Sequence, residues 1–277
     1  MPVGFFVYPA NFCRLAAMSD FTIQAVSVDH AAGVSITRHA HDSGQLSIVL
    51  RGTMAVTGEE GLWLAPPGLA VWVPPEVAHD AQYSESSSLI HIHFSQALAT
   101  QLPSRCGTVV VSDLLRELGR EAVRLSGTGG DSATVELIAQ LMVLHAQQPR
   151  SGPELFVPHG RDRRLLFAID FLRQHPGANV NLDELAALSH TSSRTLARLF
   201  VSETGMTFGR WREHLRVVCA VDRLARGQSI TQAALELGYQ SASSLTTLFT
   251  RLLGAPPRRY MEQMRQRDGE ASGRLVA

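Results

Sequence analysis

The residues best equipped for chemistry in this chain are histidines. His39 and His41 lie two apart, Gln45 follows, and Gly52 closes the stretch; further on come Gly68, Pro74, Glu76 and His79. Side chains on a strand alternate between faces, so His39 and His41 share one. With His79 they would offer three neutral imidazoles, a set suited to Zn, Ni, Cu or Fe, with the Gln45 amide oxygen as a weaker fourth ligand. The same groups can instead hydrogen-bond one another and a small effector, with Trp72 and Tyr83 as aromatic walls. Both readings, a divalent metal and an organic effector, stay open here. "LIHIHF" adds His91 and His93 on one strand face, opposite Ile90, Ile92 and Phe94, where a structural role is expected.

The elements that must position these residues change character along the chain. From residue 22 to 95, short runs of Val, Ile, Leu, Trp and Phe alternate with Gly, Pro, Ser and Asp, which predicts an antiparallel barrel or sandwich. From residue 112 the apolar spacing becomes helical. "SDLLRELGREAVRLS" opens on a start signal, and "ATVELIAQLMVLHAQQ" places Leu137, Leu141 and Leu144 on one face. That apolar face is more than one barrel can cover, so these helices are expected to pair two subunits as a homodimer. The resulting plan is α+β with two domains: a β-barrel at 1–110 with a helical, dimerising extension at 111–147, a Pro- and Gly-containing linker at 148–162, and an all-α domain at 163–265.

Composition agrees with two modules. The net charge is zero, yet residues 1–158 carry 8 Arg against 14 acids (−6) and residues 159–277 carry 17 Arg against 11 (+6). A basic second half suits a polyanion. Cys13, Cys106 and Cys219 show no CxxC spacing, which argues for a reducing compartment. The opening "MPVGFFVYPANFC" lacks a basic leader, and no apolar run has the length of a membrane span. A cytoplasmic protein with no membrane partner is expected.

The second half repeats itself. Ser192, Leu196, Leu199, Phe200 and Gly205 recur as Ser241, Leu245, Leu248, Phe249 and Gly254, each 49 residues later. Each copy reads as a helix, a turn, a capping Ser, a helix with an L-x-x-L-F stripe, and a Gly stop. That is a helix-turn-helix, whose second helix can enter a DNA major groove. "GYQSASSLTTLFTRLLGAPPRRY", with "FGRWREHLRVVCAVDRLARGQSI" upstream, resembles the AraC/XylS family of transcription regulators across about residues 163–262. The resemblance implies two such units joined by a long helix, about Thr207 to Arg226. DNA-facing positions would be Ser193, Arg194, Ala197 and Arg198 in the first unit and Ala242, Ser243, Ser244, Thr246 and Thr247 in the second. Arginine can bind guanine bidentately or clamp a phosphate, whereas short hydroxyls reach little beyond phosphates and thymine methyls.

His39-x-His41-x3-Gln45-x6-Gly52 and Gly68-x5-Pro74-x-Glu76-x2-His79 resemble the two cupin motifs across about residues 22–95. In cupins two His and a Glu bind a metal inside the barrel. Here Gln45 replaces that glutamate and Glu76 replaces a glycine. Together the resemblances imply a regulator with a small-molecule-sensing cupin ahead of its DNA reader. Its partners would be double-stranded promoter DNA, an effector, and RNA polymerase if it activates. The competing class is a metal-dependent cupin enzyme with a helical appendage. It leaves the arginine-rich repeat without a role, so no enzyme is expected.

Overall fold

The computed structural model describes residues 22–147 and 155–272, with side chains to residue 264. The opening segment with Cys13, and residues 148–154 of the expected linker, lie outside the described residues. The chain divides into two compact units, residues 22–58 with 63–147 and residues 59–62 with 155–263.

The first unit is built on nine strands: β1 (Ile23–His30), β2 (Val34–His39), β3 (Gly44–Arg51), β4 (Met54–Thr57), β5 (Gly61–Ala65), β6 (Leu69–Val73), β7 (His79–Tyr83), β8 (Ser87–Phe94) and β9 (Gly107–Val110). One sheet has the order β1-β8-β3-β6-β9, and the other contains β5-β4-β7-β2. The arrangement is cupin-like, with edges left unclosed. Strand β9 lies beyond the run legible as β in the sequence.

Three helices follow within this unit: α1 (Gln96–Ala99), α2 (Asp113–Thr128) and α3 (Ser132–Ala146). Ser112 and Asp131 cap α2 and α3 by accepting from backbone N–H groups of their first turns. Leu46, Ile48, Trp72, Ile90, Ile92 and Phe94 form one core with Leu115, Ala122, Leu125, Ile138, Ala139, Met142 and Val143. The outer face of the first sheet is therefore apolar and covered by helices. Gly119 permits the close approach: a Cβ there would stand 3.1 Å from the Ile48 Cδ1. On the same strands the alternate residues Gln45, Ser47, His91 and His93 are buried on the inner face. Both faces are covered, which is why β3 and β8 are buried almost throughout.

The second unit opens with β10 (Phe156–Pro158), a strand inside the segment expected to be linker. Seven helices follow: α4 (Arg163–Gln174), α5 (Leu182–Leu188), α6 (Ser193–Thr204), α7 (Phe208–Ala225), α8 (Ile230–Glu236), α9 (Ala242–Leu253) and α10 (Pro257–Ser272). The helix-turn-helix units are α5–α6 and α8–α9. Ser192 and Ser241 cap the second helix of each, and Gly205 and Gly254 end them at φ 70° and 75°. The linking helix α7 is capped by Thr207 and ends at Arg226.

The repeat reaches further than its motifs. Phe200 packs its ring 5.7 Å from Trp211 in the next helix, and Phe249 packs 5.4 Å from Tyr260, which follows Trp211 at the same 49-residue offset. Each unit is thus anchored by an aromatic from the helix behind it.

Candidate functional site

In the first unit, His39 and His79 face each other as direct partners on the antiparallel pair β2 and β7. His79 therefore comes from the adjacent strand of the same sheet. His41 sits in the β2–β3 loop. The ring centroids stand 4.4 Å apart for His39–His79, 5.1 Å for His41–His79 and 6.1 Å for His39–His41. One nitrogen from each lies within 4.8 Å of the others.

Backbone carbonyls orient all three rings. His39 Nδ1 donates to Thr37 O (2.9 Å), His41 Nδ1 to Ser43 O (2.6 Å) and His79 Nδ1 to Val77 O (2.9 Å). A carbonyl only accepts, so the proton is on Nδ1 and each Nε2 keeps its lone pair. Burial lowers the pKa of His41, and burial with the neighbouring His39, His41 and Arg38 lowers His79 to about 4. Burial thus keeps His79 neutral at physiological pH and disfavours the charged form of His41.

Glu76, which stands where the motif has glycine, still adopts the glycine-like backbone at φ 61°. Its N–H donates to the His41 carbonyl at 2.8 Å, tying the His41 loop to the turn before β7. The substitution changed the residue and left the backbone device in place.

A second polar layer adjoins the triad. His93 lies 5.5 Å from His41, centroid to centroid, and its Nδ1 is 3.0 Å from Ser43 Oγ. Gln45 donates its amide to Ser47 Oγ (2.9 Å) and to His91 Nδ1 (3.1 Å). An amide nitrogen only donates, so His91 carries the opposite tautomer to the triad. Burial among His93, His30, His41 and His79 lowers the His91 pKa to about 3. His30 stacks on Tyr83 at 3.9 Å, joining the two sheets across the interior. His91 and His93 thus belong to the interior beside the triad, with Tyr83 and Gln45.

Trp72 requires a correction. It was expected as a pocket wall, but strand alternation turns it to the helix side, where it packs on Phe94 and donates Nε1 to Pro103 O at 2.7 Å. An open cavity of about 520 Å³ lies instead at the edge strand β1. Ile23, Ala25, Ala122, Leu125 and Val135 line it with Ser126 and His93.

In the second unit, Arg194 and Arg198 are exposed on α6 over the buried Leu196, Leu199 and Phe200. Ser193 and Ala197 are half-buried, and the Ser193 hydroxyl donates to Asp183. On α9, Ser243, Ser244 and Thr247 are exposed while Ala242 and Thr246 are half-buried. The Thr247 hydroxyl donates to the Ser243 carbonyl at 3.0 Å.

Several arginines of this unit serve its own structure. Arg164, Arg223, Arg226, Arg251 and Arg258 pair with carboxylates. Arg212 donates to Val180 O, and the buried Arg216 donates to Pro176 O and Ala178 O while lying over the Tyr239 ring. Among the described residues Arg194 and Arg198 have no such partner, as is also true of Arg161, Arg163, Arg210 and Arg259. Composition could not separate these two kinds of arginine.

Residues 24–156 match the AraC-like ligand binding domain, and residues 185–263 match a helix-turn-helix domain. The transcriptional regulator NimR of Escherichia coli is 33% identical over 82% of this chain and 82% of its own length. This chain belongs to the AraC family of transcriptional regulators. The activator RhaS of Escherichia fergusonii is 26% identical over 88% of the chain and 95% of its own length. Among solved structures, ToxT from Vibrio cholerae is 11% identical at a TM-score of 0.39, covering 88% of this chain and 98% of that one. The chain is thus a regulator with an N-terminal ligand-binding domain and a C-terminal helix-turn-helix DNA-binding domain. No helix among the described residues is long and apolar enough to cross a membrane.

Proposed function

We propose that this regulator reads promoter DNA chiefly through Arg194 and Arg198 on α6, with α9 setting position through its short hydroxyls. The observation that carries the reading is that these two exposed guanidinium groups stand on the second helix of the first helix-turn-helix unit and are held in no ion pair among the described residues. Arg194→Ala and Arg198→Ala are expected to weaken specific binding by about 1–3 kcal/mol each where they read guanine. Fluorescence anisotropy on a specific and a scrambled duplex tests this. Equal losses on both duplexes reassign the residues to phosphate contacts. Loss on neither rejects this docking of α6.

The effector is assigned to the 520 Å³ cavity at β1, which has the size and apolar lining of a small-molecule site and reaches the polar interior at His93. Two copies pair through α3, whose Leu137, Leu141 and Leu144 are 68%, 42% and 59% exposed. A dimer would present four reading heads to DNA and work in the cytoplasm without turnover of its effector. RNA polymerase is a further partner if the regulator activates.

A further inference from the structure

We infer that the cavity at β1 takes an uncharged, mainly apolar small molecule that gives one hydrogen bond, from an N–H or O–H group, to the side-chain oxygen of Gln24. The inference rests on the reading of this cavity as the effector site and names the chemistry of its occupant.

The walls come first. Ile23, Ala25, Val26, Ala122, Leu125 and Val135 give the cavity of about 520 Å³ an aliphatic surface. None of the residues lining it is Asp, Glu, Lys or Arg. Glu121 and Arg124, on the same stretch of α2, are paired with each other. Burial, with His41 close by, lowers the His93 pKa to about 4 and keeps that ring neutral. A charged ligand would lose its water here and meet no counter-charge. A polyol fares little better, because each hydroxyl taken from water needs a new partner.

The polar groups come second. Gln24, Ser126 and His93 are the polar side chains on the wall. Ser126 Oγ already accepts from the Ala25 N–H at 2.9 Å, and His93 Nδ1 lies 3.0 Å from Ser43 Oγ. Gln24 differs. Its Oε1 is buried and makes no hydrogen bond among the described residues. An amide oxygen only accepts, so what it lacks is a donor. A buried acceptor is costly to leave bare, and an occupant with a single N–H or O–H removes that cost.

The alternative place for an organic ligand, between the two sheets, is taken up by the chain's own groups. His30 stacks on Tyr83 at 3.9 Å, and His91 Nδ1 lies 2.8 Å from Ser47 Oγ and 3.1 Å from the Gln45 amide. A ligand there would have to break these contacts, whereas the cavity at β1 is open. Gln24 stands directly opposite His93 in the β1–β8 register. A donor held by Gln24 therefore binds next to the ring that links the cavity to Ser43 and the His41 loop.

The test uses full-length protein and two matched sets of probes: indole, N-methylindole and indole carboxylate, and cyclohexanol, methoxycyclohexane and cyclohexanecarboxylate. Kd values come from titrations followed by ligand-observed NMR. Within each set the uncharged donor is expected to bind about tenfold or more tighter than its methylated analogue, with the carboxylate weakest. Gln24→Met, which keeps the length of the side chain and removes the acceptor, is expected to erase that preference. Val123→Trp, which fills the cavity from a half-buried position, is expected to abolish uptake of both uncharged probes. Gln24 lies on an edge strand and is itself only half-buried, so its variant carries the test if the Val123 variant misfolds. Folded wild-type protein that takes up no uncharged probe, or prefers the carboxylates, overturns the inference. So does a donor preference that survives Gln24→Met, or uptake untouched by a folded Val123→Trp. Promoter affinity measured with and without bound probe separates the two readings. A probe that binds as described and leaves that affinity unchanged counts against the effector reading alone.

Discussion

Two residues show most directly how side-chain identity and backbone demand can part. Glu76 and His190 sit at φ 61° and 52°, in the left-handed region where an L side chain crowds its own carbonyl. Both side chains are exposed, and in the second helix-turn-helix the place of His190 is taken by Gly238 at φ 77°. Glu76→Gly and His190→Gly are each expected to stabilise by about 0.5–1 kcal/mol, relief of crowding exceeding the greater freedom glycine gains on unfolding. Urea denaturation followed in each unit measures this, and a loss of stability in both variants would reject the account. The motifs made the position of Glu76 legible and its conformation not, because a motif records residue types. For the same reason Trp72 was misplaced: its aromatic type suits a pocket, but strand register decides which face it takes. The carbonyl partners that fix the histidine tautomers had no sequence signal, since any residue supplies a carbonyl.

At the scale of elements, caps and periodicity were the most readable features. Thr207, Arg226, Ser192, Ser241, Gly205 and Gly254 end their helices where local hydrogen-bonding rules put them. Strand β10 was hidden because three residues carry no period. Helix α3 is informative for its surplus. Ile138, Ala139, Met142, Val143 and Ala146 already fill its core face, yet Leu137, Leu141 and Leu144 form a second stripe left open to solvent. Exposed leucines at such spacing are what a partner helix packs against. Leu137→Glu with Leu141→Glu is expected to turn a dimer into a monomer in sedimentation equilibrium, at a thermal midpoint within a few degrees of wild type. A wild-type protein that is already monomeric at micromolar concentration would exclude this interface.

Across the whole molecule, the charge split of −6 and +6 marks a division of labour that the structure refines. Much of the basic half is spent on ion pairs and carbonyl contacts within its own unit, so DNA affinity cannot be read from the charge count. The ligand-binding unit carries a different electrostatic burden. His91 is buried between the sheets, facing His93 on its own strand, His30 on β1, Gln45 and Ser47 on β3, and the fields of His41 and His79. Those neighbours and its burial hold its pKa at about 3, against 6.5 for an exposed histidine. The folded unit therefore keeps His91 neutral where the unfolded chain would protonate it. Between about pH 6.5 and 3 the unfolded state binds the extra proton, so stability falls as pH falls, by at most about 1.4 kcal/mol per pH unit for this group. Above 6.5 both states are neutral and the contribution is flat. His91→Gln, which retains a hydrogen-bonding side chain for Gln45 and Ser47, is expected to flatten this slope while lowering stability at pH 7.5. Tyr83 and Trp63 lie in the interior of the same unit, and the denaturation midpoint followed through their fluorescence from pH 7.5 to 4.5 gives the slope. A slope identical in wild type and variant would show that the acid sensitivity of this domain lies elsewhere.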